Sequence, residues 1–130
     1  MVIFDTSLIV DASRRKKAAL DLIESYSGKE RIATTVVTKY EMLRGATKRD
    51  VGFVLELLKK FVIFDFGEDA VGEAVKTYQK LSEKGKMINE LDIIIAGIAA
   101  ANNETLITKD KDFLNLESNK IVVLASSSIP

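Results

Sequence analysis

The stretch VIFDTS at residues 2–7 decides how the rest of the chain is interpreted. Three apolar residues run directly into Asp5, and two hydroxyl residues, Thr6 and Ser7, follow it. An uninterrupted apolar run of this kind is typical of a strand buried on both faces, as in a parallel sheet. Asp5 then lies where the strand ends, and the carboxyl edge of an open parallel sheet is where ligands bind. Other acids that reach this edge are therefore candidates for a shared site.

Short apolar runs alternate with helical patterns along the remaining chain. Further strands are predicted at residues 31–34, 61–64, 105–108 and 121–124. Helices are predicted at residues 18–26, 35–43, 51–58, 70–81 and 89–101, and residues 8–13 are predicted to be a short connection. This order predicts an α/β protein, a three-layer α/β/α sandwich around a mostly parallel sheet of about five strands. At 130 residues, we expect residues 1–130 to form a single domain.

The composition excludes several kinds of chemistry, because the chain contains neither cysteine nor histidine. Disulfides, thiolate nucleophiles, zinc sites of the Cys/His type and histidine general bases are all removed. Any metal must therefore be held by oxygen atoms, and carboxylate ligands select hard cations such as Mg²⁺ or Mn²⁺.

The charge balance gives no indication of a nucleic-acid-binding surface, since the chain has 19 basic and 19 acidic residues. Local basic runs occur at residues 14–17, 48–49 and 109–111, and we interpret them as solvated faces. The longest apolar run, residues 93–101, is well short of the roughly 20 residues that cross a bilayer. Asp5 also interrupts any apolar core of a signal peptide. We expect a cytoplasmic protein without membrane association.

Four acids are candidates for the shared site: Asp5, Glu41, Asp92 and Asp110, with Asp112 beside them. Asp5 and Asp110 each follow an apolar strand, so both should lie at the carboxyl edge. Asp92 falls in the first turn of the helix at 89–101, and Glu41 lies on the helix that leaves the second strand.

Three of these acids also have a purely structural explanation. Asp92, three residues after Asn89, fits a helix cap, and Glu41, three residues after Thr38, fits a capping box. Asp110 fits an ordinary turn aspartate. Asp5 is harder to explain in this way, since an acid that directly ends a buried strand needs a partner or a ligand.

The four acids together suggest a cation, because carboxylates repel one another. Two of them about 5 Å apart repel by about 3 kcal/mol at an effective dielectric constant of 20. A divalent cation removes this repulsion, supplies hydroxide from water near neutral pH and stabilises charge on a phosphoryl oxygen. Phosphodiester hydrolysis by this route needs no histidine.

Four motifs resemble, in order and spacing, those of the PIN-domain ribonucleases, and within them the VapC-type toxins of prokaryotic toxin–antitoxin pairs. They are IFDTS at 3–7, YEMLRG at 40–45, LDIIIA at 91–96 and LITKDKDF at 106–113. The resemblance implies an α/β/α sandwich, Mg²⁺- or Mn²⁺-dependent cleavage of RNA, a homodimer and an antitoxin protein as partner.

The resemblance also implies roles for individual residues. Asp5, Glu41, Asp92 and Asp110 would be the catalytic, metal-binding acids. Thr6 or Ser7 would orient Asp5 or a water on the metal, Thr108 would brace the cluster, and Asp112 would hold a water.

Other functions remain open at this point. One is an RNA-processing PIN nuclease outside any toxin system, and another is an inactive relative that acts as an interaction module. A third is a receiver-like signalling domain, with Asp65 as phosphoacceptor and Lys109 as the strand-end lysine. The apolar residues of the helix pair at 35–60 are interpreted either as core or as a groove for a dimer mate or an antitoxin helix.

Overall fold

A computed structural model of the protein describes residues 1–125. Its strands are β1 (Val2–Phe4), β2 (Ile32–Thr35), β3 (Val62–Phe64), β4 (Thr105–Thr108) and β5 (Ile121–Val123). Its α-helices are α1 (Thr6–Ser13), α2 (Lys17–Ser27), α3 (Val36–Gly45), α4 (Val51–Leu58), α5 (Glu68–Lys84) and α6 (Glu90–Ala101). A 3-10 helix (Lys111–Leu116) lies between β4 and β5.

The five strands form one parallel sheet in the order β3-β2-β1-β4-β5. Strand β1 is central: Val2 is in register with Ile32 of β2 on one side and with Thr105 of β4 on the other. The side chains of β1 are at most 2% exposed, which explains why its apolar run has no polar alternation. The predicted fold class is confirmed.

The two faces of β1 contribute to two separate hydrophobic clusters. Phe4 packs with residues of α1, α2 and α4, including Leu8 and Leu57. Ile3, which points to the opposite face, packs with α6 residues such as Ile95. Because successive side chains of a strand alternate in direction, the sheet is covered by helices on both faces. The predicted α/β/α layering follows from this arrangement.

The prediction that residues 8–13 form a short connection is wrong, because they belong to helix α1. Leu8, Ile9 and Ala12 are fully buried, and their spacing places them on one helical face. The helix begins immediately after Asp5, whose carbonyl oxygen accepts hydrogen bonds from the Leu8 and Ile9 amides. The pattern is weak in the sequence because only three apolar residues form the buried face and the acid Asp11 is buried among them. Asp5 therefore directly follows strand β1 and directly precedes helix α1.

Helices α5 and α6 approach each other very closely at Gly97. A Cβ atom placed at Gly97 would lie 2.8 Å from the carbonyl oxygen of Ala70 and 2.9 Å from the Cβ of Ala74. These neighbours are backbone and an alanine, so they cannot move aside as a long side chain would. Glycine at this position lets α6 pack tightly against α5. Within residues 1–125, none of the helices has both the length and the apolar character needed to span a membrane.

The Gly97→Ala variant is expected to lose about 2 kcal/mol of unfolding free energy, because overpacking of a tight core costs about 1–3 kcal/mol. Gly72→Ala is the matched control: Gly72 lies in the interior of α5, and nothing is within 4 Å of a Cβ placed there. That control is expected to gain roughly 0.5–1 kcal/mol from helix propensity. Urea unfolding of both variants measures the difference. A Gly97→Ala protein as stable as the control would contradict the close packing.

Candidate active site

Asp5 is buried at the carboxyl end of the central strand and is 3% exposed. Its Oδ2 atom accepts hydrogen bonds from the hydroxyls of Thr108, at 2.6 Å, and Ser7, at 3.2 Å. Its Oδ1 atom is buried and has no hydrogen-bond partner among residues 1–125. Burial raises the pKa of the Asp5 carboxyl, although the hydrogen bond from Thr108 acts in the opposite direction. A buried carboxylate oxygen without a partner is unfavourable, so this atom is suited to receive a ligand.

Glu41 reaches the same edge from helix α3. Thr35 caps this helix, its hydroxyl accepting a hydrogen bond from the Thr38 amide at 3.2 Å. The alternative of a Thr38–Glu41 capping box is therefore wrong. Instead, Thr6 donates a hydrogen bond to Glu41 Oε1 at 2.9 Å, and its hydroxyl is also 2.8 Å from that of Thr38. Thr6 thus contacts Glu41, whereas Ser7 contacts Asp5.

Asp92 lies in the first turn of α6 and is only partly buried. The cap of this helix is Asn89, whose side chain accepts a hydrogen bond from the Leu91 amide at 2.8 Å. Burial, as the largest cause, and the negative charges of the acidic neighbours together raise the pKa of Asp92 from 3.8 to about 7. Those neighbours are, in order of effect, Asp5, Asp110, Glu41 and Asp112. The structure therefore brings all the predicted acids within electrostatic reach of Asp92.

Asp110 has a structural role as well as a place in the cluster. Its backbone amide donates to Thr108 Oγ1 at 3.0 Å. Its Oδ1 atom accepts from the Asp112 amide at 2.9 Å and so caps the 3-10 helix. The turn-aspartate explanation is thus correct for one oxygen of this residue. Asp112 itself is exposed.

The hydroxyl of Thr108 connects two of the acids. It donates to Asp5 and accepts from the amide of Asp110, so the end of β1 is tied to the loop that follows β4. These two hydrogen bonds hold Asp5 close to the backbone at the end of β4. They therefore fix how far Asp5 lies from Asp110.

The residues at this edge fit a hard cation by their chemistry. They offer carboxylate oxygens, one of which is buried without a hydrogen bond, and their mutual repulsion is relieved by positive charge. Within residues 1–125, no three acids are close enough to form a finished metal site as they stand. Rotation of these side chains would therefore be needed to bring three of them onto one cation.

Two residues near this edge were not identified from the sequence as a pair. Asp11, on α1, is 3% exposed and forms an ion pair with Lys109, from the loop after β4. Lys16 approaches the other oxygen of Asp11 at 3.4 Å. The interpretation of the basic runs as solvated faces is thus wrong for Lys109, which is partly buried, whereas Lys16 is exposed. The sequence signal for a buried acid at this position was an aspartate between Val10 and Ala12 in an apolar stretch. It was not used, because that stretch was not predicted to be a helix.

The receiver-like alternative is not supported by the positions of its two residues. Asp65 is exposed and follows β3, the outer strand, with β2 between it and β1. Lys109 contacts Asp11. Strands β2 and β1 lie between the strand that Asp65 follows and the strand that Lys109 follows.

Comparison with known proteins identifies the family. A family model described as the PIN domain matches residues 2–119. Ribonuclease VapC1 of Methanocaldococcus jannaschii is 28% identical over 111 residues, which span 85% of this chain and 76% of that protein.

Solved structures show the same fold. VapBC2 from Rickettsia felis, bound to a DNA fragment from its promoter, has a TM-score of 0.84 at 21% identity, covering 95% of this chain and 98% of that one. VapBC-5 from Mycobacterium tuberculosis, a member of the VapBC family of toxin–antitoxin systems, has a TM-score of 0.68 at 27% identity, covering 94% and 97%. Since the family model spans nearly the whole described sequence, the chain belongs to the PIN domain family.

Proposed function

We propose that the protein is a ribonuclease that depends on Mg²⁺ or Mn²⁺, with its active site at the carboxyl edge of the sheet. One observation carries this proposal: four acids from distant parts of the chain surround one edge, and the buried Asp5 among them has an oxygen without a hydrogen-bond partner in residues 1–125. The ribonuclease name of the M. jannaschii relative supports the same activity.

Each side chain of the site has a proposed role. Asp5, Asp92 and Asp110 would hold the cation, and Glu41 is the fourth catalytic acid. The cation, when bound, supplies a water-derived nucleophile and neutralises charge on the phosphoryl group. Because metal ligands must be deprotonated, cation binding would release the proton that Asp92 holds near neutral pH.

The hydroxyl residues keep these acids in place. Thr108 and Ser7 hold Asp5 Oδ2, which leaves Oδ1 for the cation. Thr6 holds Glu41. Asp112, exposed at the start of the 3-10 helix, would hold a water.

RNA cleavage in the presence of Mg²⁺ or Mn²⁺ is the direct test. The purified protein is expected to cleave single-stranded or structured RNA with either ion and to lose this activity in EDTA. Asp65→Asn is the matched control, since it removes an exposed aspartate that also ends a strand but lies on the outer strand β3. Its activity is expected to equal that of the parent protein. Cleavage that persists in EDTA, or that Asp65→Asn abolishes, would contradict the proposed site.

We further propose that the protein is the toxin of a toxin–antitoxin pair and acts in the cytoplasm as a single domain. The VapC and VapBC names of its relatives support this role. Helix α4 exposes Val51 and Leu55, which lie four residues apart on one face and are 37% and 42% exposed, and this apolar pair suits contact with an antitoxin segment. Leu57 and Leu58, by contrast, are buried in the core and cannot form that surface.

A second apolar stripe suits the homodimer that the family resemblance implies. Val71, Val75 and Tyr78 of α5 are between 44% and 48% exposed and lie on one face of the helix. An RNA-processing nuclease outside a toxin system is the second candidate function. The neighbouring reading frame distinguishes the two: an antitoxin that relieves growth arrest by the expressed protein supports the toxin, and its absence supports RNA processing.

A further inference from the structure

The partly buried ion pair between Asp11 and Lys109 does not include any of the four acids, but its residues lie on the segments that follow Asp5 and precede Asp110. Asp11 is on α1, the helix that begins directly after Asp5. Lys109 stands between Thr108, which holds Asp5, and Asp110. The pair therefore joins the helix after one acid to the loop that carries another.

A second contact reinforces this connection. The Lys109 amide points to Ser7 Oγ at 3.5 Å, and the same Ser7 hydroxyl donates to Asp5. The backbone of Lys109 is thus held against the start of α1, while its side chain is held against Asp11 in the second turn of that helix. Among residues 1–125, the ion pair of Lys109 is with Asp11 and not with any acid of the site.

The environment of Asp11 shows that the pair is built into the fold. Its side chain is 4% exposed, and that of Lys109 is 34% exposed. Burial raises the pKa of Asp11, but the hydrogen bond and charge of Lys109 outweigh it and lower the pKa below its ordinary value. A charge buried in this way is expensive unless it is paired, so the carboxylate fixes the position of the lysine.

We infer that Asp11 and Lys109 are positioning residues of the metal site: their ion pair holds the loop at Thr108 and Asp110 in the place where Asp110 and Asp5 share a cation. This inference rests on the proposed metal-dependent function. Neither residue contacts the cation. The effect is transmitted through the backbone between Thr108 and Asp110, in the way that outer-shell partners orient metal ligands.

The sign of the effect on Mn²⁺ affinity separates positioning from simple electrostatics. Removing the positive charge of Lys109 would by itself strengthen binding of a cation nearby, because like charges repel. Loss of the positioning contact has the opposite effect. Lys109→Met is therefore expected to weaken Mn²⁺ binding, by about tenfold, as loss of an outer-shell partner does.

Calorimetric titration of the full chain with Mn²⁺ is the test, with a double variant to protect against misfolding. Lys109→Met leaves the buried Asp11 without its main partner, so it is expected to destabilise the protein. Asp11→Leu with Lys109→Met removes both charges and is expected to restore stability while keeping the weakened Mn²⁺ affinity. Lys16→Met is the matched control, because Lys16 approaches the same carboxylate but is 51% exposed and belongs to another loop. Its affinity is expected to equal that of the parent protein.

The outcomes are distinguishable. Weakened Mn²⁺ binding in both Lys109→Met and the double variant, with Lys16→Met unchanged, supports the inference. Unchanged or stronger binding in either of the first two, or an equal loss in Lys16→Met, overturns it. A parent protein that binds no Mn²⁺ overturns the proposed metal-dependent function itself, and with it the inference.

Discussion

Asp5→Asn is expected to reduce RNA cleavage by about 10³-fold or more. A bound metal contributes several kcal/mol to stabilisation of a phosphoryl transition state, and each 1.36 kcal/mol corresponds to a factor of ten in rate. Asp5 is the one acid of the cluster that is almost fully buried, and its Oδ1 has no hydrogen-bond partner in residues 1–125, which leaves that atom for the proposed cation. The amide of asparagine offers a single neutral oxygen, which cannot serve both Thr108 and a metal.

The same substitution is expected to stabilise the metal-free protein, by on the order of 1 kcal/mol. A neutral asparagine can still accept the hydrogen bonds from Thr108 and Ser7 through its side-chain oxygen. It also removes a buried charge, and this gain is expected to exceed the cost of the amide nitrogen that takes the buried place of Oδ1. A gain in stability with a loss of activity is the pattern of a site that is strained in order to bind a ligand.

Rate measurements under single-turnover conditions and urea unfolding in EDTA check both halves of this prediction. Asp65→Asn serves again as the control, and both of its values should match those of the parent protein. Cleavage that survives in Asp5→Asn would point to a contaminating nuclease or to a different site. A large loss of stability would show that the negative charge of Asp5 is part of the fold.

Asp92→Asn is expected to weaken the pH dependence of stability between pH 4 and pH 8 in the metal-free protein, and Asp5, whose pKa is also raised by burial, is expected to account for part of what remains. The pKa of Asp92 is about 7 in the folded chain, against an ordinary value of 3.8. Between these values the folded protein binds a proton that the unfolded chain has released. The unfolding free energy of the parent protein therefore falls as the pH rises through this window.

The size of the effect follows from the size of the shift. A difference of about three pKa units corresponds to roughly 4 kcal/mol at most. Asp92 is only partly buried, so water screens part of this energy, and we expect about 1–2 kcal/mol. Asp92→Asn should thus be more stable than the parent protein at pH 8 and equal to it near pH 4.

Urea unfolding of the parent protein and of Asp92→Asn, in EDTA at a series of pH values, compares their unfolding free energies. Unfolding of both proteins with added Mn²⁺ gives a second comparison. At pH 8, Mn²⁺ should stabilise the parent protein, because it binds the folded state only, and it should not stabilise Asp92→Asn. Parallel pH profiles for the two proteins would mean that Asp92 does not carry the titration. Equal stabilisation by Mn²⁺ would remove Asp92 from the proposed metal ligands.

The sequence alone predicted the sheet and the approach of these acids to one another, because both depend on local patterns. The apolar run before Asp5 and the strand before Asp110 identify the carboxyl edge without any knowledge of distant contacts. Asp92 was also predictable, since the first turn of a helix at that edge faces the cleft. Helix α1 was missed because its buried face has only three apolar residues and includes the acid Asp11.

Side-chain partners could not be predicted in the same way. Thr38 and Glu41 have the spacing of a capping box, but Thr6, which is 35 residues away, takes the place of Thr38 as partner of Glu41. Asp11 and Lys109 are 98 residues apart, and their ion pair depends on how α1 lies against the end of β4. Contacts of this range are set by the packing of the sheet layers, which no local pattern records.

Anomalous diffraction from a crystal soaked in Mn²⁺ tests most directly whether the acids share a cation. We expect an anomalous peak roughly 2 Å from Asp5 Oδ1, with oxygens of Asp92 or Asp110 completing the coordination. The Asp5→Asn crystal, soaked in the same way, should lack that peak. No peak at this edge in the parent crystal, or a peak bound by other residues, would contradict a metal-dependent active site formed by these acids.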